Sequence, residues 1–349
     1  MLAGIVLALS AAALVDGLPH TVPLRLHKLT VDTGSFAILI KEGLYKPSAT
    51  SQPTNYSEFI QFSGASQDGT GPAEVGITTA YRPYAAKLAL SNGWQETIFY
   101  VRDDIRFGGV TVHDFLVGNI TQGDDLPGDG VAGFSPPASD NEDFSSGQGI
   151  VETFCAEGQL SPCEFGIVLK KDGKGSVTFG PMDKSRIKGN VTVLPAMKND
   201  AWQILNSTEA DSPILVVDGK PFSHIIPTFD SGGPNVVGPL DQVRKLLKSV
   251  GYNITEQTND QITVALGTYD CARKPARVGF SFPPSNEVHY IDLKANVLNR
   301  TADGRVCTAN ILGTSTVDAP LWSIGQTWFQ GRYVQHDLDD NTLSFAELA

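Results

Sequence analysis

Two triplets headed by an aspartate are the residues of this chain best suited to chemistry. They are Asp32-Thr33-Gly34 and Asp230-Ser231-Gly232, and each lies on a glycine turn between two apolar runs. A carboxylate between buried segments costs free energy unless it is paired and hydrogen-bonded. One such triplet is ordinary turn chemistry. Two of them, in corresponding positions of two halves, predict a pair of carboxylates that act together.

Strands are the elements that must position these triplets. Alternating and β-branched runs dominate the chain, and clusters of glycine, proline, asparagine and aspartate separate them. The clearest runs are residues 165–169, 175–180, 191–195, 214–217 and 278–282. Asn92-Gly93, between residues 84–90 and 94–101, predicts a β-hairpin. Two helices are predicted, near residues 149–157 and 239–250, and the second is amphipathic. The pattern as a whole predicts an all-β protein.

A weak internal repeat divides the chain into two halves. Each triplet is followed by an apolar-apolar-glycine element, Val131-Ala132-Gly133 in the first half and the looser Ser323-Ile324-Gly325 in the second. A polar stretch around residues 181–200 separates the halves. We therefore predict an N-terminal lobe over residues 18–188 and a C-terminal lobe over residues 189–349, preceded by a signal peptide over residues 1–17.

The amino-terminal run and the sequons both indicate a secretory pathway. Residues 2–15 form an uncharged apolar run that is too short to span a bilayer and is typical of a signal peptide. Six Asn-x-Ser/Thr sequons predict glycosylation of a secreted chain. Their asparagines are Asn55, Asn119, Asn190, Asn206, Asn253 and Asn299. We predict that the protein is secreted, or reaches a vacuole by the same pathway.

Composition and charge exclude several classes of partner. The 349 residues include 35 glycines and 21 prolines, which suits strands and turns better than a helical bundle. A formal net charge of −12 argues against nucleic acid or an anionic membrane surface as a partner. No other apolar stretch approaches membrane length, so no membrane span is predicted. No Gly-x-Ser-x-Gly or Walker pattern supports a serine hydrolase or a nucleotide site.

Four cysteines fit an oxidising compartment and allow three disulfide connectivities. Pairing within each local couple is the simplest, and the couples are Cys155 with Cys163 and Cys271 with Cys307. Neither couple has CxxC spacing, and the six histidines are scattered along the chain. No metal site is therefore predicted.

Segments from residue 31 onward resemble, in order, the pepsin-like aspartic peptidases. Val31-Asp32-Thr33-Gly34-Ser35 resembles the first catalytic loop of that family, and Phe229-Asp230-Ser231-Gly232 resembles the second. Residues 128–133 resemble the Asp-Gly-Ile-Leu-Gly segment, and residues 175–180 resemble a strand at the lobe junction. Cys271 and Cys307 match the C-terminal disulfide of the family.

The resemblance implies a bilobal fold of two β-barrel-like lobes, each contributing one catalytic aspartate, Asp32 or Asp230, to the cleft between them. Two adjacent carboxylates cannot both ionise cheaply, so they share a proton. The ionised member can take a proton from a water that attacks a peptide carbonyl, while the protonated member polarises that carbonyl. We therefore predict a monomeric aspartic endopeptidase that acts at acid pH on a protein or peptide substrate in the cleft and needs no cofactor.

The resemblance also assigns supporting roles around the two aspartates. Thr33 and Ser231 carry the hydroxyls that tie the two loops together in the family, and Ser35 is expected to hydrogen-bond Asp32. The glycines that let the backbone approach the carboxylates are Gly34 and Gly232.

The flap and the amino terminus depart from the family pattern. Few residues separate the apolar run from the first triplet, so the first strands are expected to be shortened. The flap that covers substrate in the family maps to the Asn92-Gly93 hairpin. Ser91 stands where the family has tyrosine. Trp94 lies beside the turn and is either a substitute ring for the flap or an ordinary strand aromatic that packs on the lobe. Loss of the tyrosine is expected to weaken closure over substrate.

The second loop departs as well, because Gly233 replaces the usual threonine or serine and leaves Asp230 without the partner that Ser35 gives Asp32. These departures keep an alternative open, a catalytically weak or inactive secreted homologue that acts as a binding protein through the same cleft. The two costly carboxylates favour the enzyme, since a chain freed from catalysis has no reason to keep both.

Overall fold

A computed structural model describes residues 29–35, 38–41, 43–44, 52–62, 94–107, 110–122, 129–136, 149–172, 175–197, 202–204, 212–258 and 262–349. Strands make up most of these residues, and the prediction of an all-β fold is confirmed. The signal peptide, the flap residues Ser91, Asn92 and Gly93, and the sequon at Asn206 lie outside the described residues.

The first six strands described form one sheet. They are β1 (Leu29–Asp32), β2 (Ile38–Ile40), β3 (Gln52–Phe62), β4 (Trp94–Phe107), β5 (Val110–Gln122) and β6 (Gly130–Gly133). Their order in the sheet is β1-β6-β2-β5-β4-β3. The side chains of Val31, Ile38 and Val117 are buried in the core, so the first triplet directly follows a buried strand.

The rest of the chain supplies three helices, a short 3-10 turn and sixteen strands within the described residues. Residues 149–197 contribute α1 (Ile150–Ala156), β7 (Glu164–Leu169), β8 (Gly175–Phe179), the 3-10 turn Lys184–Arg186 and β9 (Ile187–Pro195). Residues 212–270 contribute β10 (Ile214–Val217), β11 (Lys220–His224), β12 (Ile226–Phe229), β13 (Val236–Pro239), α2 (Leu240–Ser249), β14 (Asn253–Thr258) and β15 (Thr263–Asp270). Residues 278–348 contribute β16 (Val278–Ser281), β17 (Val288–Tyr290), β18 (Val297–Arg300), β19 (Val306–Thr314), β20 (Leu321–Ile324), α3 (Gln326–Phe329), β21 (Arg332–Asp337) and β22 (Thr342–Leu348).

The internal repeat appears in the structure as a repeated strand arrangement. β1 runs parallel to β6, and β12 runs parallel to β20 in the second half. β2 pairs antiparallel with β6 and parallel with β5, just as β13 pairs antiparallel with β20 and parallel with β19. The elements that suggested the repeat, residues 131–133 and 323–325, therefore lie beside the two strands that lead into the aspartates.

Two further sheets complete the second half. A seven-stranded sheet has the order β12-β20-β13-β19-β15-β14, with β18 also paired to β19. A four-stranded sheet has the order β11-β10-β16-β17. α2 lies against β19 and β15 through Val243, Leu246 and Leu247, which are buried as the amphipathic pattern predicts.

One antiparallel sheet joins segments from both halves, and we call it the shared sheet. Its order is β8-β7-β21-β22-β9, so the last two strands of the chain lie between strands of residues 164–195. The predicted lobe boundary between residues 188 and 189 lies within β9, and the division into lobes at this point stays a prediction.

The cysteines form the two local pairs, Cys155–Cys163 and Cys271–Cys307, with Cα atoms 5.5 and 5.1 Å apart. The first connects the end of α1 to the chain just before β7, and the second connects the end of β15 to β19. Among the described residues, no helix has the length and apolar character that crossing a membrane requires.

Candidate active site

Asp32 is the last residue of β1, and its buried carboxylate is held by the turn that follows. The amide of Gly34 donates to Oδ1 at 2.8 Å, and the hydroxyl of Ser35 donates to Oδ2 at 2.6 Å. Both oxygens therefore have a donor from within three residues. The Asp-Thr-Gly-Ser sequence supplies this geometry locally, because glycine lets the turn bring its amide back towards the aspartate.

Asp230 occupies the matching place after β12, and it is equally buried. The amides of Gly232 and Gly233 both donate to its Oδ1, at 2.9 and 3.0 Å. A Cβ atom added to Gly233 would lie 2.8 Å from Oδ2. The second loop thus holds Oδ1 of Asp230 with two backbone donors. Unlike the first loop, it has no hydroxyl within the turn that donates to Oδ2.

The two loops are joined by four reciprocal hydrogen bonds that the hydroxyls of Thr33 and Ser231 make. The Thr33 hydroxyl donates to the carbonyl of Phe229 at 2.8 Å and accepts from the amide of Ser231 at 2.9 Å. The Ser231 hydroxyl donates to the carbonyl of Val31 at 2.8 Å and accepts from the amide of Thr33 at 3.2 Å. Because all of these groups are buried, the bonds fix the two aspartates relative to each other.

The pair is electrostatically coupled. Burial raises the pKa of Asp230 well above its usual range, and the negative charge of Asp32 raises it further. A hydrogen bond between the two carboxyls acts in the same direction, whereas the amides of Gly233 and Gly232 act to lower the pKa. Proton sharing between the two groups is the behaviour that this arrangement favours.

Ser323 in β20 and Gln326 at the start of α3 also contact the second loop, and the sequence patterns assign neither of them to the site. Ser323 donates its hydroxyl to Oδ2 of Asp230 at 3.5 Å. Gln326 donates its side-chain amide to the carbonyl of Ser231 at 2.8 Å. The only signal in the sequence is that Ser323 makes the second apolar-apolar-glycine element polar at one position.

The other predicted site residues either lie apart from Asp32 and Asp230 or have side chains outside the described part of the structure. Trp94 begins β4, and its side chain is not among those described. Of the sequon asparagines, Asn190, Asn253 and Asn299 are exposed, whereas Asn119 is half-buried in β5 between β2 and β4. Asn55 lies in β3. Within the described part of the chain, no three histidine, cysteine, aspartate or glutamate side chains cluster as a metal site would require.

Comparison with known proteins relates this geometry to a family. A sequence model described as eukaryotic aspartyl protease matches residues 23–348. Secreted aspartyl protease 1 of Malassezia globosa is 24% identical over 91% of this chain and 70% of its own length. A renin of Echis ocellatus is 23% identical over 93% of this chain and 77% of its own length.

Cathepsin D of Homo sapiens is 26% identical over a shorter region, which covers 50% of this chain and 41% of that protein. The family match spans both aspartates and nearly all of the described strands, so the resemblance inferred from the motifs is confirmed. The chain belongs to the eukaryotic aspartyl protease family.

Proposed function

We propose that the protein is an aspartic endopeptidase that hydrolyses peptide bonds in proteins by activating a water between Asp32 and Asp230, at acid pH. The observation that carries the proposal is the buried pair of carboxyls, hydrogen-bonded to each other and held by loops that bond reciprocally. Burying two carboxyl groups costs free energy, and such a pair is expected at a site whose function is to transfer protons.

The chemistry follows from one shared proton. At acid pH one carboxyl is ionised and takes a proton from the attacking water, while the other is protonated and donates a hydrogen bond to the scissile carbonyl oxygen. The pair titrates as a unit, so neither role is assigned to one aspartate. Ser35 and the loop amides hold the carboxylate oxygens in place during the transfer. The reaction requires no covalent intermediate and no cofactor.

We further propose that the protein is exported through a secretory pathway, to the cell exterior or a vacuole. One relative is by name a secreted aspartyl protease, and the chain has two disulfides and, among the sequon asparagines whose burial is described, three that are exposed. The apolar run at residues 2–15 would serve as the signal peptide, and a substrate protein would occupy the cleft between the lobes.

Cleavage of a denatured protein at acid pH tests the proposed activity. Casein or haemoglobin digestion is expected to be sensitive to pepstatin and to fall at least about a hundredfold in Asp32→Asn and in Asp230→Asn. Asp318→Asn makes the same chemical change at an exposed aspartate and is the matched control. Cleavage that persists in both active-site variants would refute the proposed mechanism.

The alternative is a binding protein with little or no turnover. It is favoured by Gly233, which deprives Asp230 of a hydroxyl within its own loop. Folded protein that binds pepstatin but leaves casein intact at every acid pH would support this alternative and contradict the endopeptidase.

A further inference from the structure

A cavity of about 850 Å³ lies beside the shared sheet, away from the two aspartates. Its walls come from β7, β9, β21 and β22, from the 3-10 turn and from residues 290–293, which begin at the end of β17. Neither Asp32 nor Asp230 lines it. We call it the basic cavity because lysines and arginines form much of its lining.

Cationic side chains outnumber acidic ones around this cavity. The acidic side chains that line it are Asp292 and Glu347, and Ala349 lines it as well, whereas the lysines and arginines number six. The six are Lys170, Lys171, Arg186, Lys188, Arg277 and Arg332. A local excess of positive charge is unexpected in a chain whose formal net charge is −12. The potential in a concave site of one sign attracts ions of the other sign.

Both acidic side chains are already engaged by lysines. Asp292 Oδ2 accepts from Lys171 Nζ at 3.0 Å, and Glu347 Oε2 lies 3.3 Å from Lys188 Nζ. In the part of the chain that the structure describes, the guanidinium groups of the cavity have no carboxylate at ion-pair distance. Among the described residues, these three guanidinium groups and Lys170 are therefore the cavity cations without an acidic partner at ion-pair distance.

Each of the three arginines is held in place by neutral neighbours. Arg186 donates to the hydroxyl of Ser176 at 3.0 Å, and the guanidinium of Arg277 lies 3.8 Å from the ring centre of Tyr290. These contacts orient the planar groups without adding a negative charge to them.

Arg332 is the buried member of the set, with 6% of its surface exposed. Its guanidinium donates to the main-chain carbonyls of Trp328 and, at 2.8 Å, of Tyr290, and it stacks on the Trp328 ring. Burial lowers the pKa of Arg332 to about 10, which still leaves the group charged at physiological pH. The charges of Glu347 and Asp292 act in the opposite direction, but both carboxylates are bonded to lysines, so a bound anion would give the buried guanidinium a direct counter-ion.

We propose that the basic cavity is a binding site for a small oxyanion of the phosphate or polycarboxylate class, which Arg332 contacts at the buried end and Arg186 and Arg277 contact at the more exposed side. Guanidinium groups match both classes because their forked donors bond two oxygens at once. The ligand would connect the shared sheet to residues 290–293 and stabilise the folded state by mass action.

Calorimetric titration with inorganic phosphate, and separately with citrate, tests the site at near-neutral pH and constant ionic strength. Saturable binding is expected, with a matching rise in the thermal unfolding midpoint. The double variant Arg186→Gln/Arg277→Gln keeps the buried Arg332 and should weaken the Kd at least about tenfold. Arg305→Gln is the matched control, because Arg305 is exposed and does not line the cavity.

The arm with the tighter Kd identifies the class of oxyanion. A rise in the unfolding midpoint that never saturates, or an equal Kd in the double variant, would overturn the proposal. The measurement involves no peptide cleavage, so its result is independent of whether the protein is an active endopeptidase.

Discussion

Asp230 differs from Asp32 in the partner of its second carboxylate oxygen. In the first loop that oxygen accepts from Ser35 at 2.6 Å, three residues along the chain. In the second loop the nearest hydroxyl comes from another strand, where Ser323 lies 3.5 Å away. The site therefore has one firmly held carboxylate and one that is held mainly through Oδ1 by two amides.

Ser323→Ala is predicted to lower kcat about fivefold, because a long hydrogen bond to a carboxylate is worth about 1 kcal/mol. KM should stay nearly unchanged. Since the hydroxyl stabilises the ionised form, its loss should also shift the pH–rate profile of the pair towards higher pH. Ser323→Thr keeps the hydroxyl and should keep both kcat and the profile. If the alanine variant leaves both unchanged, Ser323 does not position Asp230.

Thr33→Val is predicted to lower the free energy of unfolding by about 2–4 kcal/mol. The substitution keeps the shape but leaves the carbonyl of Phe229 and the amide of Ser231 buried without their partner. Urea denaturation followed by tryptophan fluorescence measures the change. Thr33→Ser retains the hydroxyl and should lose much less stability. An equal loss in both variants would show that the methyl group, rather than the bridge between loops, is responsible.

At the scale of elements, local patterns predict where strands and helices lie but not which of them pair. β10 and β16 fall within the predicted runs, β7 begins one residue before its run, and α2 agrees with its predicted bounds to within one residue. The pairing of β21 with β7 brings Val334 opposite Ile167, and no local pattern specifies so distant a partner.

Local and distant contacts also differ in how well the sequence predicts the candidate active site and the basic cavity. The two triplets can be predicted because a glycine turn after aspartate builds its hydrogen bonds within three residues. The contacts of Ser323 and the burial of Arg332 arise from neighbouring strands, so the sequence alone gives them no distinctive spacing.

Leu247→Ala in α2 is predicted to lower the free energy of unfolding by about 3 kcal/mol. Leu247 is fully buried, and α2 approaches β15 so closely that a Cβ atom on Gly267 would lie 2.4 Å from the Leu247 side chain. The lost methyl groups should therefore leave a cavity that the rigid sheet cannot fill. Lys245→Ala, on the exposed face of the same helix, should change stability by less than about 0.5 kcal/mol in the same denaturant titration.

At the scale of the whole molecule, two buried groups give stability opposite dependences on pH. The raised pKa of Asp230 means that its contribution to stability is present in acid and is lost as pH rises through that pKa. His336 acts in the other direction. It lies in β21 of the shared sheet, stacked on Phe165 at 4.5 Å and edge-on to Trp202, and burial lowers its pKa to about 3.

His336→Leu is therefore predicted to make the protein more resistant to acid relative to its stability at neutral pH. Below the ordinary histidine pKa of 6.5 the unfolded chain binds a proton that the folded chain does not, so stability falls as pH drops towards 3. At about 1.4 kcal/mol per pKa unit, the loss reaches several kcal/mol.

Urea denaturation at a series of pH values should show a flatter dependence of the free energy of unfolding on pH over this range in His336→Leu. His113→Gln replaces an exposed histidine and should follow the wild type. Equal slopes in His336→Leu and the wild type would instead assign the acid sensitivity to the carboxylates.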